Sequence, residues 1–129
     1  MNLQLGQAIL IVDDDPTITD TFARLLQLEG FTVYEALSAD GGLEIAADKR
    51  PDAIILDLRM PVLSGLQFLQ QLRETPLLRH IPVAIVTGGD YFVDDGTTAQ
   101  IEALGASVVF KPLWLDDLLA LARSLMEPA

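Results

Sequence analysis

Apolar and polar positions along this chain fall into blocks with two different periods. Short runs at Ala8–Val12, Phe31–Ala36, Ala53–Leu56, Val83–Val86 and Val108–Phe110 read as strands. The continuous aliphatic run Ala53–Leu56 suits a strand buried on both faces, as in a parallel sheet. Between them, apolar residues recur at helical spacing. Ile18, Phe22, Leu25 and Leu26 predict a first helix, and a second opens at Ser38 or Asp40 and runs to about Arg50. A third starts at Ser64-Gly65 with Leu66, Leu69 and Leu72 on one face. A polar loop from Gly88 to Gly96 leads into a short helix ending at Leu104, and Leu115, Leu118, Leu119, Ala122 and Leu125 stripe the last helix. The punctuation agrees. Pro16 after Asp15 suits a capped first turn, Gly30 stops the first helix, and Gly105 is a C-cap candidate.

Five strands and five helices in alternation predict an α/β fold, a single doubly wound (βα)5 domain with a parallel five-stranded sheet of order 2-1-3-4-5. A length of 129 residues fits one domain with one core. Repeats, low-complexity segments and internal linkers are missing from the sequence, so residues 1–129 are expected to form one unit with its core at about 8–126 and no output domain.

Charge and cysteine content then narrow the function. The formal net charge of −11 disfavours direct nucleic-acid binding, which draws on Lys and Arg to displace counterions. The absence of cysteine removes disulfides and thiolate metal sites. No apolar run approaches a membrane span and the N-terminus lacks a basic signal region, so a cytoplasmic protein without membrane contact is expected.

In open parallel sheets ligands bind beyond the carboxyl ends of the strands. The first strand ends at Asp13, Asp14 and Asp15, the third at Asp57, the fourth at Thr87 and the fifth at Lys111. Each has a plain structural explanation. The aspartates suit a helix cap, Asp15 best of the three. Thr87 is an ordinary strand residue, and an isolated lysine such as Lys111 most often snorkels at a surface. Asp57 resists such an explanation, because a carboxylate leaving a buried strand is costly without a partner. Together these residues supply hard oxygen ligands suited to Mg²⁺ or Mn²⁺, with a hydroxyl and an ammonium for a phosphoryl group. A central carboxylate can itself be the nucleophile and form an aspartyl phosphate.

"ILIVDDDP", "AIILDLRMPVLSG", "VAIVTGGD" and "FKPL" resemble, in order and over about Ala8 to Met126, the four signature regions of the two-component response-regulator receiver domain. The resemblance implies a phosphorylation-dependent signalling switch, not an enzyme with turnover of its own. Asp57 would accept a phosphoryl group from a sensor histidine kinase or histidine phosphotransfer protein. Asp13 and Asp14, with Asp57 and the main-chain carbonyl of Arg59, would hold the metal, Asp14 being the favoured direct ligand. Thr87 and Lys111 would bind phosphoryl oxygens, and the Lys111–Pro112 bond would be cis. The face made by the fourth helix, fifth strand and fifth helix would meet a downstream target or output domain, with phosphorylation-linked homodimerisation left open.

The chain departs from the family pattern where receivers commonly carry a Tyr or Phe that reports phosphorylation. Here that position is Val108, and either Phe110, two residues on, or a loop aromatic is expected to take part of the reporting role, or the relay works differently. The loop "GGDYFVDDG" is longer than is common, and Tyr91 and Phe92 in it are expected to pack back on the domain rather than meet a partner. His80 reads as a surface loop residue. The residues disfavour two other classes. A haloacid-dehalogenase-like phosphohydrolase needs an acid/base Asp where this chain has Arg59, and a flavodoxin-like FMN binder would not place "DDDP" at its phosphate loop.

Overall fold

The computed structural model describes residues 7–57, 62–87, 95–110 and 115–126, with backbone alone at 57, 62–64, 87, 95, 97, 110 and 115. In chain order the elements are β1 (Ala8–Val12), α1 (Pro16–Leu28), β2 (Thr32–Ala36), α2 (Ala39–Lys49), β3 (Ala53–Asp57), α3 (Val62–Glu74), β4 (Val83–Thr87), α4 (Asp95–Ala103), β5 (Ala106–Phe110) and α5 (Leu115–Met126). The strands form one parallel sheet in the order β2-β1-β3-β4-β5, as the alternation predicts. None of the described helices is long and apolar enough to cross a membrane.

That strand order divides the core in two. Right-handed crossovers that first step outward to β2 and then proceed the other way put α1 and α5 on one face and α2, α3 and α4 on the other. The period of two along each strand feeds both faces. Leu10, Val12, Ile54, Leu56, Val83 and Ile85 pack with Phe68, Leu69 and Leu72 of α3, Ala46 of α2 and Ile101 of α4. Ile9, Ile11, Ile55 and Val86 pack with Leu26 of α1 and Leu118, Leu119 and Ala122 of α5. Burying a full aliphatic side chain stabilises the fold by about 1.5–3 kcal/mol, which is why the central strands carry so little else.

Local chemistry sets the helix ends. Asp15 caps α1, its side chain accepting from Thr17 N at 2.9 Å, with Pro16 in the first turn. Ser38, not Asp40, caps α2, accepting from Gly41 N at 3.0 Å. At the far end of α2, Arg50 adopts left-handed backbone with φ 47°. Gly30 and Gly105 take φ of 98° and 77° where α1 and α4 end, conformations that glycine adopts without penalty.

Two details differ from the sequence reading. The most deeply buried positions of α1 are Thr19, Ala23 and Leu26, while Ile18, Phe22 and Leu25 flank that stripe, half-buried. Thr19 is tolerated there because its hydroxyl donates to the Pro16 carbonyl at 3.0 Å. Helix α3 begins at Val62, two residues before Ser64, and β5 begins at Ala106, two residues before Val108.

Candidate functional site

Register brings the candidate residues to one end of the sheet. Val12 pairs with Leu56, so position 13 follows beside Asp57. The β1–β2 ladder itself extends to Asp13, whose N–H donates to the Ala36 carbonyl at 3.0 Å. Asp57 pairs with Val86, and Thr87, the next residue of β4, pairs with Phe110. Neighbouring strands lie about 4.8 Å apart, so the backbones at 13, 57 and 87 occupy adjoining places along one edge. Local sequence spacing could not have shown this. Residues separated by thirty positions or more meet only through the parallel pairing.

The three aspartates after β1 divide their tasks. Asp13 is fully buried, and its Oδ1 accepts from Asp15 N at 3.0 Å. Asp15 is committed to capping α1, as the sequence suggested. Asp14 is exposed to solvent. One carboxylate is thus withdrawn from water, one faces it, and the third belongs to the helix. Burying an ionised carboxylate is expensive without compensating charge or hydrogen bonds, and the positive end of α1 offers part of that compensation.

The side chains of Asp57 and Thr87 lie outside the described residues, as do Arg59, Lys111 and Pro112 altogether, including the expected cis bond. Tyr91 and Phe92 fall outside them too. Val108 is half-buried against the core beneath α2–α4, one residue along β5 from the partner of Val86. His80 is exposed in the loop before β4, remote from the carboxyl ends of the strands, in line with the sequence reading.

Two residues with structural consequences were not singled out by sequence reasoning. Gly42 of α2 lies so close to the sheet that an added Cβ would stand 2.9 Å from Val12 Cγ2 and 3.0 Å from Phe68 Cε2. The Gly-Gly doublet inside a helical segment was the available signal. Arg73 of α3 is the second. Its Nε donates to the Leu104 carbonyl at 2.6 Å, and its Nη1 to the carbonyls of Arg79 and Ile81 at 2.9 and 2.6 Å. One guanidinium thereby ties α3 to the entries of β4 and β5. Nothing in the sequence distinguishes it from a surface arginine.

The comparisons with known proteins agree with this geometry. The sequence model of the response regulator receiver domain matches residues 9–123. Response regulator MprA of Mycobacterium ulcerans is 36% identical over 119 residues, covering 92% of this chain and 50% of that protein. The chain spans about half the length of the curated relatives it matches. Among solved structures, chemotaxis response regulator CheY4 of Vibrio cholerae has a TM-score of 0.80 at 26% identity, covering 92% of this chain and 98% of that one. A response regulator receiver domain protein from Clostridium thermocellum has a TM-score of 0.79 at 31% identity, with 93% and 94% covered. The fold, the acidic strand ends and these matches converge, and the chain belongs to the response regulator receiver domain family of two-component signalling.

Proposed function

We propose that the chain is a phosphorylation-dependent switch in which Asp57 accepts a phosphoryl group from a histidine kinase or a histidine phosphotransfer protein. The observation that carries this reading is the strand register, which sets Asp57 between the buried Asp13 on one side and Thr87 on the other. In the transfer, a carboxylate oxygen of Asp57 bonds to phosphorus as the P–N bond of the donor phosphohistidine breaks. The electron pair goes to the imidazole nitrogen, which then takes a proton from solvent. The Thr87 hydroxyl and Lys111 ammonium serve as donors to the phosphoryl oxygens, where preorganised polar groups stabilise developing charge.

The donor set at the β1 and β3 ends fits a hard divalent cation. Its side chains are the carboxylates of Asp13, buried, Asp14, exposed, and Asp57, in a sequence with no Cys and a single His at position 80. Asp13, Asp14, Asp57 and the carbonyl of Arg59 are the residues that would hold Mg²⁺ or Mn²⁺. When bound, the ion supplies charge neutralisation that lets an anionic carboxylate approach an anionic phosphoryl group. The buried Asp13 carboxylate and the N–H of Asp15 then fix the geometry of that corner.

Phosphorylation adds roughly −1.5 to −2 charges at position 57. Because Thr87 pairs directly with Phe110, a pull on Thr87 reaches β5 at that residue, next but one to Val108. We therefore assign the relay to Phe110 and Val108, acting on the α4–β5–α5 face. Couplings of this type are typically about 1–3 kcal/mol, enough to change partner affinity. Incubation with acetyl phosphate and Mg²⁺ tests the reading. Stoichiometric labelling that vanishes in Asp57→Asn is expected, whereas multiple turnover of the donor would favour an aspartyl-phosphate phosphohydrolase.

A further inference from the structure

At the opposite end of the sheet from the carboxylates, a shallow cleft of about 550 Å³ opens where β4 and β5 begin. Arg73, Arg79, His80, Pro82, Leu104 and Gly105 line it, and no carboxylate is among the described residues that do so. In a chain of net charge −11 this is a local reversal of sign. Glu74 and Glu102 stand on the flanking helices but are not part of the lining.

The guanidinium of Arg73 is anchored here by neutral carbonyls alone. Its three hydrogen bonds use Nε and Nη1. Nη2 takes no part in them and stands over Gly105, 3.7 Å from where a Cβ would be. Glycine at that position puts no side chain beside Nη2. Partial burial lowers the pKa of Arg73 by desolvation, the expected result when a cation is withdrawn from water without a counter-charge. A guanidinium held rigidly by part of its fork, with the rest free to donate, is preorganised for an oxyanion. Arg79 adds a second positive charge and His80 a ring N–H donor.

We propose that this cleft is a binding site for a phosphate-type oxyanion, held by Nη2 of Arg73 together with the side chains of Arg79 and His80. Two arginines suit a doubly charged anion better than a single carboxylate. The site is separate from the phosphoacceptor and does not depend on its assignment. Because Arg73 also bonds to Leu104, an occupied cleft bears on the turn between α4 and β5, at the base of the face assigned above to signalling.

Titration of the ¹⁵N-labelled full chain with inorganic phosphate, without divalent metal, tests the proposal against sodium chloride at matched ionic strength. Glycerol phosphate in a parallel arm tells a phosphomonoester from the free ion, and acetate serves as the carboxylate arm. The expected result is a saturable shift of the Gly105 and His80 amides with phosphate or glycerol phosphate, weaker with acetate. Arg79→Gln, which removes an exposed side chain, weakens binding by roughly three- to tenfold, and Arg73→Lys, which keeps the charge without the fork, weakens it further. Shifts equal to those in chloride, centred on Asp13 and Asp14, matched by acetate, or unchanged in both variants overturn it.

Discussion

Gly42 stands in the first turns of α2 at the tightest approach between that helix and the sheet. Replacing it by alanine puts two effects in opposition. Alanine is favoured over glycine in a helix interior by about 1 kcal/mol, which by itself stabilises α2. Against this, the new methyl would meet Val12 Cγ2 at 2.9 Å and Phe68 Cε2 at 3.0 Å, distances at which a neighbour must move. Val12 and Phe68 are 0% and 1% exposed, so neither can swing toward solvent. Val12 is also β-branched, with little rotamer freedom. Overpacking of this kind costs about 1–3 kcal/mol, and crowding should win by about 1 kcal/mol, a fall in Tm of roughly 3–5 °C for a domain of this size. Urea denaturation of the wild type, Gly42→Ala and Ala47→Gly measures it. Ala47 is exposed on the same helix and reports propensity without crowding. If Gly42→Ala gains as much stability as Ala47→Gly loses, the close approach is not a constraint and the reasoning fails. Since Val12 immediately precedes Asp13, the same crowding should slow labelling by a small phosphodonor.

Other substitutions isolate single interactions. Ser38→Ala removes the acceptor for Gly41 N and should cost about 1 kcal/mol by denaturant unfolding. Asp15→Ala should cost a similar amount through the lost cap on Thr17 N, yet leave stoichiometric phosphorylation in place, separating it from Asp13 and Asp14. Arg50→Gly should raise stability by about 0.5–1 kcal/mol, since glycine relieves the left-handed backbone at φ 47°, and a thermal melt reads the change. Arg73→Ala should destabilise by roughly 2–4 kcal/mol because three carbonyls lose a charged donor at once, with Arg73→Lys recovering only part.

Much of this protein is written in local pattern. The strand β1 and the first residue of α1 follow from the aliphatic run Ala8–Val12 and the Asp15-Pro16 pair, because burial on both faces and helix capping are decided within a few residues. Alternation of elements dictates the doubly wound class, and handed crossovers leave few sheet orders to choose from. Candidate chemistry could likewise be read as the residues after each strand. Local pattern does not measure depth, however. The α1 stripe was assigned to its largest side chains, whereas packing against the sheet selects the smaller Thr19 and Ala23, with Leu26, for the innermost line.

Tertiary structure alone decided the roles that depend on distance across the sheet. It withdrew Asp13 from water and left Asp14 in it, a division that two identical neighbours in sequence cannot express. It gave Gly42 its purpose and turned Arg73 from one arginine among several into a tie between three segments. The physical reason is common to these cases. Periodicity and capping are short-range and act on neighbours along the chain. Electrostatic environment and close packing are set by residues far apart in sequence, which the parallel register brings side by side.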